Sequence, residues 1–150
     1  MSCSITLKII KFINTDYKLV SGWVIMQQIT AKELIKNNGE SILILDIRES
    51  DKFNDWNIKD SQNIGVYKDI LEGNLNVAKE KLGKLPKEKK IVTVCNAGVT
   101  SQKASKLLES LGYNTLVLEK GMMGWNTLHQ TVDIINEGDL LLKQIMRPGK

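Results

Sequence analysis

Residues 91–101 read Ile91-Val92-Thr93-Val94-Cys95-Asn96-Ala97-Gly98-Val99-Thr100-Ser101. The first four form an apolar run of the kind that makes a buried strand. A helix pattern follows, with Ala104, Leu107, Leu108 and Leu111 at helical spacing. The thiol of Cys95 therefore stands where a strand turns into a helix. The first backbone N–H groups of a helix lack intrahelical partners and carry partial positive charge. A thiol at that point ionises more readily than a free one, and the thiolate is the nucleophile. Ala97 and Gly98 are small enough for the backbone to curl and aim several N–H groups at one anion. Taken alone, a cysteine at a strand end reads as a small buried hydrophobe. The glycine-containing loop and the helix start behind it shift the reading to a reactive thiol.

Working outward, Ile42-Leu43-Ile44-Leu45 is a second solid apolar run, within a strand read over Ser41–Ile47 and followed by Arg48. Such a run suits a strand covered on both faces. Asn114–Leu118 is a third strand, after Gly112 ends the helix that follows the cysteine. Thr30 with Glu33 three residues on matches a capping box, opening a short helix that stops at Asn37-Asn38-Gly39. Ser50 is read as the cap of a helix over Lys52–Trp56, and Asn63-Ile64 as a brief strand. Leu75, Ala78, Leu82 and Leu85 repeat at helical spacing before Pro86, and Gly121–Leu128 turns into another helix. Strands alternate with helices, which predicts an α/β domain with a mainly parallel sheet. Ligands of such sheets bind at the carboxyl ends of the strands, where Cys95 lies. Asp46 and Arg48 are expected to form a structural ion pair at a neighbouring strand end. Thr100 and Ser101 are expected to cap the helix, and Trp125 to pack in or beside the core.

The pattern divides the chain into a domain over 26–130 with an extension at each end. In residues 1–25, Ser4–Ile13 reads as a loose strand, Asn14-Thr15-Asp16 as a turn and Lys18–Gln28 as a returning strand. Two readings stand, an edge hairpin or a disordered leader, and Met26 offers an internal start. Residues 131–150 read as a helical extension over Val132–Met146, interrupted at Gly138 and frayed after Arg147. With 150 residues, 42% of them hydrophobic and 25% charged, the chain fits one globular core. No apolar run is long enough to cross a membrane. Lys8 and Lys11 interrupt the apolar Ile5–Ile13 stretch, no secretory signal follows, and the expected location is the cytoplasm. The two cysteines, Cys3 and Cys95, are not expected to pair in a reducing compartment. With a single histidine, His129, read as a surface residue, neither a zinc site nor another cofactor is expected. The net charge of +4 is scattered, and its densest cluster, Lys84–Lys90, reads as a solvated loop. Nucleic-acid binding is not expected, whereas small anionic substrates suit the mild positive charge.

The segment from Thr30 to Leu128 resembles the rhodanese family. Leu45-Asp46-Ile47-Arg48 is similar to the family's Asp-x-Arg strand end, and Phe53–Ile64 to the segment after it. Cys95–Thr100 resembles the six-residue active-site loop with its Gly98-Val99-Thr100 ending. Leu111-Gly112-Tyr113, Val117-Leu118 and Gly121-Met122-Met123-Gly124-Trp125 resemble its closing signature. The resemblance implies a three-layer α/β/α domain and a sulfurtransferase. In it, Cys95 takes sulfane sulfur from thiosulfate or a persulfide, and the backbone N–H groups of Asn96, Ala97, Gly98, Val99, Thr100 and Ser101 hold the product. A thiol, cyanide or a sulfur-carrier protein then accepts the sulfur. Asp46 and Arg48 support the site, no cofactor is required, and the chain acts as a monomer or homodimer.

The sequence departs from the family at three places. Trp56-Asn57 stands for the usual Gly-His, and Asp60-Ser61 for Gly-Ala. Asn96 and Ala97 occupy loop positions where many sulfurtransferases carry Arg or Lys, so thiosulfate is expected to be a poor donor. Two other functions compete. A binding or carrier module on the same fold would transfer slowly or only with a partner. A phosphatase or arsenate reductase would use a longer loop closed by Arg, but Ser101 stands six positions after Cys95.

Overall fold

The computed structural model describes residues 18–20, 23–37 and 39–135. Two short strands come first, β1 (Lys18–Val20) and β2 (Trp23–Ile25), paired antiparallel. The main sheet has five strands, in chain order β3 (Gln28–Ile29), β4 (Ile42–Asp46), β5 (Gln62–Asn63), β6 (Lys90–Val94) and β7 (Thr115–Leu118). Their spatial order is β3-β7-β6-β4-β5, and every pairing is parallel. Strand β6, which carries Cys95 at its end, is therefore central.

The apolar runs of β4 and β6 are solid because both faces of the sheet are covered. Along β6 the side chains alternate: Ile91 and Cys95 join one core cluster, Val92 and Val94 the other. The first cluster is closed by α3 (Tyr67–Leu71), α4 (Leu75–Leu82) and α5 (Thr100–Ser110), through Ile70, Ala78, Leu82, Ala104 and Leu108. The second is closed by α1 (Ala31–Lys36) and α6 (Gly121–Ile135), through Leu34, Met122 and Trp125. The short helix α2 (Ser50–Asp55) contributes no buried residue. The expected three-layer α/β/α arrangement is thus what forms. Leu34, Leu45, Ile47, Ile91 and Leu108 are each fully buried, and burying a side chain of this size contributes about 1.5–3 kcal/mol.

Several local expectations need correction. The single returning strand read over Lys18–Gln28 is three short pieces, and the sequence has Ser21-Gly22 between the first two. Ser50 is the first residue of α2 rather than its cap; Glu49 holds the cap position without a side-chain bond. The helix read to Leu85 ends at Leu82, with Gly83 as its C-cap, although Leu85 is still buried. Helix α3 was not anticipated, because five residues are too few to display a period. Helix α6 continues through Ile135. The strand read at Ser4–Ile13, the interruption at Gly138, the terminus after Arg147 and the side chain of His129 lie outside the described residues.

The capping box of α1 forms as expected. The Thr30 hydroxyl accepts from the Glu33 N–H at 3.1 Å, and Glu33 Oε2 accepts from the Thr30 N–H at 2.9 Å. The backbone and side-chain hydrogen bonds from Thr30 hold the Glu33 carboxyl below its ordinary value of 4.5. A carboxylate favoured in the folded state adds stability above the ordinary value and loses it as pH falls through the folded one. Thr30→Ala is expected to cost about 1 kcal/mol in chemical denaturation. The stability advantage of the native chain over Glu33→Gln should shrink from neutral pH to about pH 3. An advantage that stays constant or grows on acidification would refute the coupling.

Candidate active site

Strand β6 delivers Cys95 to the carboxyl edge of the sheet, where the residue is only 2% exposed. The loop curls around its sulfur. The Gly98 N–H donates to Sγ at 3.2 Å and the Ser101 N–H at 3.4 Å. The Ser101 hydroxyl lies 3.2 Å from Sγ, accepting from the thiol or donating to the thiolate. Of the six amides between Asn96 and Ser101, those of Gly98 and Ser101 thus reach the sulfur. Asn96, Ala97, Val99 and Thr100 build the rest of the curl. Thr100 and Ser101 do not cap α5: the helix begins at Thr100, and its cap position is Val99, without a side-chain bond. The reason is local, since the Ser101 hydroxyl is engaged with Sγ and both residues are buried. Beneath them, the buried Thr93 hydroxyl donates to the Ser101 carbonyl at 3.0 Å and meets Ser105 Oγ at 2.8 Å.

Turning the loop's amides inward turns carbonyls outward. The carbonyl of Cys95 accepts from the Met122 N–H at 2.8 Å, and that of Asn96 from the Met123 N–H at 3.0 Å. These are first-turn amides of α6, which have no partner within their own helix. Two glycines permit the contact. Gly98 holds φ +81°, and a Cβ there would stand 2.9 Å from the Lys120 nitrogen. A Cβ on Gly121 would collide with the Cys95 carbonyl oxygen.

Asp46 and Arg48 form the expected pair. Arg48 Nε donates to Asp46 Oδ1 at 3.0 Å and Nη2 to Oδ2 at 2.7 Å. Nη2 also donates to the Trp56 carbonyl at 2.6 Å. The Ile47 N–H donates to the Val94 carbonyl at 2.9 Å, so this pair braces the strand end beside Cys95. Trp125 is 1% exposed and belongs to the core, as expected.

Clefts flank the loop. One, about 580 Å³, runs from Asn96 past Arg48, Glu49 and Lys52 to Tyr67 and Leu71. One of about 280 Å³ lies between Asn96, Arg48, Trp56 and Met123. A third, about 320 Å³, is lined by Ala97, Lys120, Met123, Gly124 and Thr127. Among the described residues, no group of His, Cys, Asp and Glu is arranged to hold a metal ion. No described helix is long and apolar enough to cross a membrane.

Sequence reasoning missed two parts of the site. Thr93, polar inside an apolar strand, was the signal for the hydroxyl network below the loop. Lys120, exposed and at φ +60°, stands directly against the loop. Its only sequence signal is a lysine before a glycine where a buried strand ends.

A family model for the rhodanese-like domain matches residues 30–128. The chain belongs to the rhodanese-like domain family. Its relatives include a Bacillus subtilis protein named "Putative sulfurtransferase YtwF", 28% identical over 86 residues, which is 57% of this chain and 75% of that one. The structure is similar to that of a rhodanese-related protein from Thermoplasma volcanium, with TM-score 0.57 and 27% identity, covering 68% of this chain and 92% of the other. A rhodanese-like domain protein from Staphylococcus aureus matches with TM-score 0.52 and 29% identity, over 67% and 91% of the two chains.

Because Gly121 lies against the Cys95 carbonyl at φ +52°, Gly121→Ala combines a collision with backbone strain. It is expected to destabilise the fold by about 3 kcal/mol. Urea denaturation checks this; a loss below about 1 kcal/mol would mean that the α6 contact does not hold the loop.

Proposed function

We propose that the protein is a rhodanese-type sulfurtransferase that carries sulfane sulfur as a Cys95 persulfide. The observation behind this reading is the convergence of two amides and one hydroxyl on Sγ, at 3.2, 3.4 and 3.2 Å. Donors fixed in this way favour negative charge on sulfur without reorganising during the reaction. The Cys95 thiolate attacks the outer sulfur of thiosulfate or of a persulfide. With thiosulfate, the S–S bond of the donor breaks, a bond from Sγ to the transferred sulfur forms, and sulfite leaves with the electron pair. The persulfide stays in the loop 96–101, where the Gly98 and Ser101 amides donate to Sγ. A thiolate, cyanide or the thiol of a sulfur-carrier protein then attacks the outer sulfur and releases Cys95 as thiolate. A cytoplasmic location suits a nucleophile that must stay reduced.

A second reading has its own support. Cys95 is only 2% exposed, and Asn96 and Ala97 put no charge beside it. A carrier module that loads only from a protein partner would fit both features. A phosphatase fits less well, because Ser101, not arginine, closes the loop and its hydroxyl faces the sulfur.

Mass spectrometry after incubation with thiosulfate separates these readings. Gain of one sulfur on Cys95, lost again to cyanide or a thiol, is the expected result. Loading only from a protein persulfide would favour the carrier, and Cys95-dependent phosphate-ester hydrolysis would favour the phosphatase. Cys95→Ser is expected to abolish loading and transfer while the thermal unfolding curve is retained. Ala97→Arg is expected to lower the apparent KM for thiosulfate about threefold, the scale of one exposed charge contact.

A further inference from the structure

We propose that Lys120 supplies, from outside the loop, the positive charge that selects a doubly charged sulfur donor. The inference rests on the sulfurtransfer reading above and names the residue that sets donor preference. Lys120 holds φ +60°, in the left-handed region that a residue with a Cβ adopts only when its surroundings impose it. Asp60 is the other described non-glycine residue in this region, at φ +64°. A short polar side chain such as that of Asp tolerates the shape by bonding locally, a device lysine lacks. The imposing contacts are those of the catalytic loop. A Cβ on Gly98 would reach the Lys120 nitrogen at 2.9 Å and the Leu118 carbonyl at 3.2 Å, and Gly121 lies on the Cys95 carbonyl. Glycine would take this turn without strain, yet the chain has lysine there.

The lysine stem has a prepared track. A side chain at position 124 would begin 2.9 Å from Lys120 Cβ and 3.9 Å from its Cδ, and Gly124 leaves that space open. The stem lines the 320 Å³ cleft with Ala97, whose methyl group leaves the loop side of the cleft uncharged. Among the described residues, no carboxylate lines this cleft. The other cations near the loop are offset. Arg48 is committed to Asp46 and the Trp56 carbonyl. Lys52 and Lys68 line the large cleft together with Glu49 and Asp51. Among the described residues lining these clefts, a dianion therefore meets its least opposed cation at Lys120. In the transfer step written above, the sulfonate end of thiosulfate, which departs as sulfite, is the end this cation holds.

The test compares Cys95 loading from thiosulfate, a dianion, with loading from benzenethiosulfonate, a monoanion. Lys120→Gln should raise the thiosulfate KM about fivefold and the benzenethiosulfonate KM about twofold, since the electrostatic contribution scales with donor charge. Lys120→Arg should stay near the native ratio, and adding Ala97→Lys to Lys120→Gln should recover most of the loss. Equal losses for both donors, or an unchanged thiosulfate KM, would overturn the proposal. Sulfite binding to Cys95→Ser, followed by NMR titration, separates the two levels of the argument. Binding weakened by Lys120→Gln supports the anion role even if no donor loads Cys95, an outcome that sinks the transfer reading instead. Sulfite binding indifferent to residue 120 overturns the anion role.

Discussion

A peptide cannot turn its N–H groups toward a centre without turning carbonyls away from it, and those carbonyls need partners of their own. The loop after Cys95 meets this constraint against α6. The carbonyls of Cys95 and Asn96 accept from Met122 and Met123, amides that a helix start leaves unpaired. Each element thus satisfies what the other lacks. The amide cradle around the sulfur therefore depends on a helix that begins well after it in the chain. The closest approach is made by glycines, because any side chain at residue 121 would collide with the Cys95 carbonyl.

The polar groups under the loop extend the same logic inward. Thr93 sits in the central strand at 0% exposure, between apolar neighbours. Buried hydroxyls are costly when unpaired, but here the Thr93 hydroxyl bonds to both the Ser101 carbonyl and the Ser105 hydroxyl. The first turn of α5 is fixed to the sheet by a directional contact rather than by packing alone. Directional contacts hold the Ser101 N–H and hydroxyl where Sγ can use both.

How much of this was legible in the sequence depended on distance along the chain. Strands β4, β6 and β7 were readable because strands covered on both faces show solid apolar runs. The box of Thr30 and Glu33 was readable because its partners are three residues apart. The Asp46–Arg48 pair was readable because both residues follow one strand. Strand β3 and helix α3 were not, since two and five residues carry no period. The cap of α5 was misread because a second claimant for the Ser101 hydroxyl, the sulfur, comes from the preceding strand end. The left-handed turn at Lys120 was invisible because the segment its backbone lies against, at Gly98, is distant in the chain.

The placement of charge follows from the same division between local and distant causes. Arg48 is the one guanidinium among the described residues, and three of its side-chain hydrogen bonds go to Asp46 and one to the Trp56 carbonyl. A partly buried guanidinium so engaged serves the strand end and has little left for a mobile anion. In the proposed transfer, the cation available to a transient ligand is then an exposed side chain, Lys120, whose cleft holds no carboxylate among the described residues. Exposure lowers the strength of each such contact by solvent screening, and that would suit the proposed transfer, in which the leaving group must depart as readily as the donor arrives. In the proposed transfer, a tightly buried cation beside the sulfur would bind thiosulfate as strongly before the reaction as during it, and binding that is equal in the two states does not raise the turnover rate.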